Sequence, residues 1–236
     1  MNESVKYGVV IPTLNEVNNI VPLVKKIQGC GLENLEIIVV DENSPDGTCQ
    51  AVNDFAGDNP LVKGVLNDGI RGLSPSIVKG FRLAQGEFLA CMDGDLQHDV
   101  NDLPKLLKRL ENTDFVIGSR YVEGGGFKEK WNPFRVLASK TAALMAKIIF
   151  GVKVKDPMSG FFAVRKEAFE YVAPKLSPKG FKIMLELVFR LNHSDRAFIV
   201  KEEGITFGLR QHGKSKLNSK VIIDYIFMLM ALRKTV

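Results

Sequence analysis

The sequence has no apolar stretch long enough to cross a lipid bilayer, which takes about 20 consecutive apolar residues. The longest candidate, Val221 to Leu232, has twelve residues and is interrupted by Asp224. Cysteine is scarce as well, because the chain has only Cys30, Cys49 and Cys91, and their spacing is not typical of a metal site. An odd number of cysteines without a signal peptide indicates a reducing compartment. We therefore expect a cytoplasmic protein without a membrane-spanning helix, whose cysteines are small core residues.

Two nucleotide-binding motifs are also missing. No Gly-x-Gly-x-x-Gly follows the first predicted strand and no Walker A motif occurs. The main sequence evidence for a dinucleotide-binding or P-loop protein is therefore missing. The composition that remains is that of an ordinary globular protein, with 45% hydrophobic and 25% charged residues. A chain of 236 residues is long enough for one large domain, or for one domain with a small appendage.

The net charge of +5 hides an asymmetry between the two halves of the chain. Residues 1–119 hold 10 Lys and Arg against 17 Asp and Glu, whereas residues 120–236 hold 22 against 10. The acidic half could hold a metal ion and the basic half could hold anions. Nucleic acid is the default partner of such a basic half. The basic half has no run of interleaved aromatics and arginines, so no nucleic-acid partner is expected.

Short apolar runs alternate with segments of helical periodicity in the first half of the chain. This alternation predicts an α/β fold with a mostly parallel central sheet, right-handed crossovers and flanking helices. Ser74 and Pro75 predict a helix start with Ser74 as the cap. A later helix over residues 181–191 is expected to place Glu186 off its core face. The predicted strands are Val5 to Ile11, Leu35 to Val40, Leu61 to Leu66, Phe88 to Met92 and Phe115 to Ile117.

Acid and amide side chains follow three of these predicted strands. In parallel sheets ligands bind beyond the carboxyl ends of the strands, so three such clusters together favour a nucleotide or metal site. A single Asp-x-Asp would be weak evidence, since acids commonly cap turns. The clusters are Asn15 with Glu16, Asp41 with Glu42 and Asn43, and Asp93 with Asp95 and Gln97.

The last cluster has the spacing of a cation site. If the chain stays extended beyond Met92, then Asp93, Asp95 and Gln97 project to one side, since successive side chains of a strand alternate between its faces. Three oxygen ligands suit a hard cation such as Mg²⁺ or Mn²⁺ that keeps positions open for phosphate oxygens.

The basic half offers candidate anion-binding segments. Glu123 to Gly126 is glycine-rich, too flexible to be regular, and a candidate lid. On a predicted helix over residues 132–150, Arg135 and Ser139 share a face and could hold a phosphate, although a solvated Arg is the alternative. We expect a catalytic domain over residues 1–217 and an apolar helix over 218–236. That helix is core, a docking surface or a membrane-interface segment.

Six segments, taken in chain order, carry a recognisable pattern. They are Ile11 to Glu16, Val40 to Thr48, Met92 to His98, Gly118 to Tyr121, Asp156 to Phe162 and Arg210 to Leu217. The set covers almost the whole chain and resembles the motif series of family-2 glycosyltransferases, more narrowly the polyprenyl (dolichyl) phosphate mannose synthases.

The resemblance implies a GT-A (Rossmann-like) fold that binds a nucleotide-sugar, usually GDP-mannose, and transfers the sugar to a lipid-linked phosphate with inversion. It places a divalent cation, Mg²⁺ or Mn²⁺, on Asp95 and Gln97. It assigns nucleotide-sugar binding to Pro12, Leu14, Glu16, Val40, Asp41, Glu42, Asp93, Gly94, Asp95, Arg210 and Lys216.

The same resemblance implies catalytic roles for Asp95, Arg120, Arg210 and Lys216. The acceptor phosphate would be bound by Arg120, Arg135 and Ser139. An acceptor phosphate is already ionised at neutral pH, so no general base is needed, which agrees with a chain of only three histidines. The expected partners are GDP-mannose, polyprenyl or dolichyl phosphate, and the cytosolic face of a membrane contacted peripherally. A small membrane-anchoring subunit is a further candidate.

Two positions depart from the family pattern. The usual second Asp after the second strand is Glu42, and the usual aromatic residue after Pro-Thr is Leu14. Both lie where the nucleotide base is expected, so a UDP-sugar donor is an alternative to GDP-mannose. A nucleotide-binding subunit without turnover and a basic nucleic-acid-binding protein are the remaining alternatives.

Overall fold

The computed structural model describes residues 4–128, 154–177 and 183–209, which fold around a seven-stranded sheet flanked by helices. The strands are β1 Tyr7–Thr13, β2 Leu35–Asp41, β3 Val62–Leu66, β4 Phe88–Cys91, β5 Phe115–Ser119, β6 Gly126–Phe127, β7 Phe162–Arg165, β8 Val200–Gly204 and β9 Thr206–Phe207. The helices are α1 Val17–Gln28, α2 Thr48–Ala56, α3 Leu73–Leu83, α4 Leu103–Arg109, α5 Lys166–Val172 and α6 Ile183–Asn192.

The strand order in the large sheet is β3-β2-β1-β4-β7-β5-β8. Every neighbouring pair is parallel except the two that involve β7, which runs antiparallel to both β4 and β5. The prediction of a mostly parallel sheet is therefore confirmed. Strands β2, β1 and β4 are adjacent and parallel, so their carboxyl ends lie side by side at one edge.

Helices cover both faces of the sheet because the strand residues are apolar on both sides. Val10 and Leu89 belong to a core with α3, α5 and α6, whereas Val9 and Ala90 belong to the opposite core with α1, α2 and α4. This alternation is the period of two that a strand imposes. The predicted apolar stripes of α1 and α4 are confirmed by the fully buried Ile20, Leu23, Val24, Ile27, Leu103, Leu106, Leu107 and Leu110.

Several local predictions were wrong. Helix α3 begins at Leu73 with Gly72 before it, and Ser74 is buried inside its first turn instead of capping it. Glu186 is buried although its helix was expected to expose it. Gly126 lies in strand β6, which pairs with β9, so the end of the glycine-rich segment is regular.

The predicted helices over 132–150 and 218–236 lie outside the described residues, and the proposed boundary at 217 stays a prediction. Among the helices of residues 4–128, 154–177 and 183–209, none is both long and apolar enough to cross a membrane. The three cysteines are free thiols, and Cys91 is fully buried as predicted, whereas Cys30 and Cys49 are half-buried.

Candidate active site

The carboxyl ends of β1, β2 and β4 meet at one edge of the sheet. Beyond the last paired residues of β1 and β2, the Glu42 amide still donates to the Thr13 carbonyl over 2.9 Å. On the other side of β1, a Cβ placed on Gly94 would lie 3.0 Å from Thr13 Cγ2, so the acidic turn after β4 contacts the end of β1. The acid and amide clusters predicted from the sequence therefore come together.

Asp41 organises the loop after β2. Its fully buried carboxylate accepts hydrogen bonds from Thr13 Oγ1 (2.9 Å), from the Ser44 amide (2.7 Å) and from Ser44 Oγ (2.6 Å). Asn43, within this loop, has a φ of 60°, a conformation that asparagine tolerates better than most residues. Asp41 thus fixes the backbone that presents Glu42.

Glu16 is held in place by contacts with Asn19 and Thr48 that were not predicted from the sequence. Its side chain is buried and accepts a 2.7 Å hydrogen bond from Asn19 Nδ2, and its amide donates to Thr48 Oγ1 over 3.0 Å. Asp46 accepts from the amides of Val17 and Thr48. An Asp two residues before a helix start is the signal that could have identified it.

Hydrogen bonding sets the charge state of Asp46. Burial would raise the pKa of this carboxyl, but the hydrogen bonds from Thr48 and Val17 prevail and the pKa lies below its ordinary value. Asp46 therefore remains a carboxylate that ties α1 to the start of α2.

The residues expected around the base divide into buried and accessible ones. Pro12 and Val40 are buried and lie side by side as register partners in the adjacent strands β1 and β2. Leu14 and Glu42 are partly exposed just beyond the strand ends. Of these four residues, Leu14 and Glu42 present surface at which a base could be distinguished.

The chain does not stay extended after β4, so that prediction was wrong. Gly94 and Asp95 form a turn, and Leu96 has a φ of 63°. Asp95 is buried and its Oδ1 accepts from the Gln97 amide at 3.1 Å. Gln97 Nε2 donates a hydrogen bond to the Gly208 carbonyl at 3.0 Å. The side-chain carbonyl oxygen of Gln97 is therefore the atom that could coordinate a cation.

Arg120 forms a buried ion pair with Asp156. Its Nε and Nη2 each donate to the carboxylate over 2.7 Å, and its backbone amide donates over 3.0 Å. Burial would lower the pKa of Arg120, but the hydrogen bonds and the charge of Asp156 raise it above its ordinary value. The guanidinium carbon also lies 5.2 Å from the Phe207 ring centroid and 5.5 Å from that of Tyr121.

The motif beginning at Asp156 was recognised, but its pairing with Arg120 was not predicted from the sequence. Lys155 and Asp156 both donate their backbone amides to the Glu202 carboxylate, which anchors this segment to β8. The expected contact of Arg120 with a phosphate stays a prediction. Arg135, Ser139, Arg210 and Lys216 lie outside the described residues.

The oxygen atoms of Asp95 and Gln97 suit a cation that takes most of its ligands from the substrate and from water. Within the described ranges, no group of three or more His, Cys, Asp or Glu side chains is arranged to hold a metal ion. Asp95 and Gln97 are hard oxygen donors, and one or two protein oxygens completed by substrate phosphates is the usual arrangement for Mg²⁺. The residues present therefore fit the expected cation.

A mostly parallel sheet with acidic loops at the carboxyl ends of its first strands is the arrangement of the GT-A (Rossmann-like) fold. The glycosyl transferase family 2 model matches residues 8–172. The chain belongs to glycosyl transferase family 2.

Curated relatives match over nearly the whole chain. A dolichol-phosphate mannosyltransferase of Saccharomyces cerevisiae is 39% identical over 97% of this chain and 87% of its own length. A dolichol-phosphate mannosyltransferase of Pyrococcus furiosus is 41% identical over 97% of this chain. The chain spans 64% of the Pyrococcus protein.

Solved structures share the fold at low sequence identity. Glucosyl-3-phosphoglycerate synthase from Mycobacterium tuberculosis, in complex with Mn²⁺, UDP and phosphoglyceric acid, has a TM-score of 0.71 at 20% identity. That likeness covers 97% of this chain and 78% of the other. The same enzyme in complex with Mg²⁺ and UDP has a TM-score of 0.70 at 19% identity.

Proposed function

We propose that this glycosyltransferase moves mannose from GDP-mannose to a polyprenyl or dolichyl phosphate, with inversion at the anomeric carbon. The observation that carries the proposal is the meeting of the β1, β2 and β4 ends, which brings the loops of Glu16, Glu42 and Asp95 to one edge. The dolichol-phosphate mannosyltransferase name of relatives at 36–41% identity supports the acceptor and the sugar.

The donor nucleotide would lie across the ends of β2 and β1. Leu14 and Glu42 present partly exposed side chains for the base, and Pro12 and Val40 supply the buried floor beneath them. Glu16 is held by Asn19, and we assign it to contact a ribose hydroxyl. Asp41 acts by holding the loop rather than by reaching into solvent, because it is fully buried.

The diphosphate would lie at the turn after β4. Asp93 and Gly94 would contact the nucleotide, and Asp95 and Gln97 would hold the divalent cation. When bound, such a cation neutralises negative charge that grows on the departing diphosphate. Arg210 and Lys216 would add positive charge to the same group.

The acceptor phosphate attacks the anomeric carbon with an oxygen that is already ionised, so the protein needs to position it and not to deprotonate it. Arg135 and Ser139 would bind this phosphate, with the positive charge of Arg120 nearby. The ion pair with Asp156 keeps that guanidinium fixed, so its charge needs no reorganisation as the reaction proceeds.

A lipid acceptor requires the enzyme to work at a membrane surface. We propose peripheral attachment to the cytosolic face, through the basic half and the 218–236 segment, with a small membrane-anchoring subunit as a candidate partner. Co-sedimentation with vesicles, with and without residues 219–236, tests the contribution of that segment. Equal binding of both forms would place attachment elsewhere.

The activity is tested by mixing purified protein with labelled GDP-mannose, Mg²⁺ or Mn²⁺ and a short polyprenyl phosphate. We expect a labelled lipid product whose anomeric configuration is opposite to that of the donor, and no product from the Asp95→Ala variant. Sugar transfer to a free hydroxyl but not to the lipid would defeat the acceptor assignment. Turnover that survives Asp95→Ala would defeat the proposed role of Asp95.

A UDP-sugar is the second candidate donor, favoured by Glu42 and Leu14 at the positions expected to contact the base. Thermal shifts with GDP and with UDP, each with Mg²⁺, distinguish the two, because a ligand that binds only the folded protein raises its stability. A larger shift with UDP would replace GDP-mannose by a UDP-sugar. No shift with either nucleotide would remove the donor-site assignment.

A further inference from the structure

The Asp93 carboxylate is held from one side by a buried histidine. His98 Nε2 lies 3.2 Å from Asp93 Oδ2, and the Asp93 side chain is 33% exposed whereas that of His98 is 2% exposed. A carboxylate accepts hydrogen bonds, so the imidazole places its proton on Nε2. His98 thus directs a single N–H at an acidic side chain that is partly exposed.

The imidazole itself has little freedom to move. Its ring centroid lies 5.1 Å from that of Phe161 and 5.0 Å from that of Phe207. Nδ1 is buried and has no hydrogen-bond partner among the described residues. A buried polar atom without a partner costs free energy, so a ring with only a packing role would be better served by phenylalanine. The hydrogen bond to Asp93 accounts for a histidine here.

Gly160 bounds the same carboxylate from another side. A Cβ placed on Gly160 would lie 2.3 Å from Asp93 Oδ2 and 2.8 Å from both Cγ and Oδ1. Its backbone is not in the left-handed region, so its conformation alone does not require glycine. The absent side chain leaves the space that the Asp93 carboxylate occupies.

We propose that His98 and Gly160 are positioning residues that together fix the Asp93 carboxylate in the orientation that contacts the donor nucleotide. The proposal rests on the proposed function for the role of Asp93, and it adds two groups that contribute to its geometry. Without them, Asp93 could turn toward Arg120, to which it is already close enough to interact electrostatically. A misdirected carboxylate binds the nucleotide less well although the fold is intact.

The first test compares His98→Phe with His98→Gln. Phenylalanine keeps the aromatic packing and loses the donor, whereas glutamine reaches the Nε2 position with an amide N–H. We expect His98→Phe to weaken nucleotide binding by about 10-fold, the scale typical of groups that orient a ligand. We expect His98→Gln to restore most of it. Wild-type binding in His98→Phe together with weakened binding in His98→Gln would show that His98 acts only through packing and would overturn the proposal.

The second test uses Gly160→Ala, whose new methyl group meets the end of a side chain and not the backbone. The melting temperature should change little while nucleotide binding weakens as in His98→Phe. Gly69→Ala is the matched control, because the nearest atom to its Cβ is 3.8 Å away. If Gly160→Ala binds the nucleotide as the control does, the proposal fails. This variant decides the question if His98→Phe does not fold.

A double-mutant cycle shows whether both residues act through Asp93. In an Asp93→Ala background, His98→Phe and Gly160→Ala should cause no further loss of binding, since the group that they position is gone. If His98→Phe or Gly160→Ala weakens nucleotide binding by the same factor with and without Asp93, the proposal is overturned. Binding is measured calorimetrically with GDP and with UDP, and the tighter ligand is used for the cycle. The cycle therefore tests the roles of His98 and Gly160 even if the donor base or the lipid acceptor has been assigned wrongly.

Discussion

Two ion pairs of equal length differ in burial, and burial decides how much the loss of one partner costs. Arg120 and Asp156 are 8% and 0% exposed at the side chain, whereas Lys128 in its pair with Asp99 is 54% exposed. Both N–O distances are 2.7 Å. Water screens the second pair, but removal of either partner from the first leaves an uncompensated buried charge.

Asp156→Ala should therefore lower the free energy of unfolding by about 3–5 kcal/mol. Lys128→Ala, the matched control, should lower it by at most about 1 kcal/mol. Urea denaturation of the wild type and both variants gives the comparison. Losses of similar size in the two variants would contradict the role given to burial.

Glu186 supplies a pH-dependent contribution to stability. Burial raises the pKa of this carboxyl above its ordinary 4.5, although the Ser177 amide and the nearby Arg190 lower it in part. The folded protein thus holds this proton more tightly than the unfolded chain does. The resulting stabilisation is present below pH 4.5 and is lost as pH rises through the raised pKa.

Glu186→Gln removes this titration while keeping an oxygen that can accept from Ser177. The stability of the variant relative to wild type should therefore rise between pH 4 and pH 7. Urea midpoints at the two pH values measure the difference. A stability difference that is constant with pH would show that Glu186 has the same pKa in both states.

At the scale of the element, helix α3 lies so close to the sheet that one position admits no side chain. A Cβ on Gly80 would lie 2.3 Å from Val10 Cγ1 and 3.1 Å from Val40 Cγ2. Two effects of Gly80→Ala then oppose each other. Alanine favours a helix over glycine by about 1 kcal/mol, but overpacking a core costs about 1–3 kcal/mol.

The contact at Val10 is far inside van der Waals range, so overpacking should prevail and Gly80→Ala should lower the melting temperature. Gly29→Ala is the control, since Gly29 follows α1 with a φ of −86° and its Cβ would meet atoms no closer than 3.6 Å. Thermal unfolding monitored by circular dichroism compares the two variants. A Gly80→Ala variant as stable as the control would mean that α3 shifts without cost.

The sequence predicts those elements whose pattern is local. The spacing of Ile20, Leu23, Val24 and Ile27 identified α1 because a helix repeats every 3.6 residues. The turn at Gly94 and Asp95, in contrast, lies against Thr13 of a neighbouring strand, which no local pattern reveals. Glu186 was misjudged for the same reason, since its partner Ser177 lies outside its own helix.

The residues of the candidate site also divide into those that a local pattern predicts and those that depend on contacts between elements. Residues after strand ends could be predicted from sequence, because parallel strands bring their carboxyl ends together. Groups that orient them, such as Asn19 beneath Glu16 and Asp156 beside Arg120, were missed because their roles arise from packing between elements.

At the scale of the whole molecule, the cation and the nucleotide should stabilise the protein jointly. Asp95 and Gln97 provide few ligands, so Mg²⁺ alone should change the melting temperature little. GDP should raise it, and the two together should raise it most, because phosphate oxygens complete the coordination shell. A large shift with Mg²⁺ alone, or one that persists in Asp95→Ala, would point to a different cation site.

The antiparallel strand β7 has a consequence for how the chain assembles during synthesis. Strands β3, β2, β1 and β4 all lie within residues 7–91 and pair with one another, so a nascent chain can form them early. Strand β5 is translated next but has no place beside β4, because β7 occupies it. Both neighbours of β5, namely β7 and β8, are translated later, so both edges of β5 stay unpaired on the ribosome until residues 162–165 emerge. In that interval β5 is most exposed to wrong pairing.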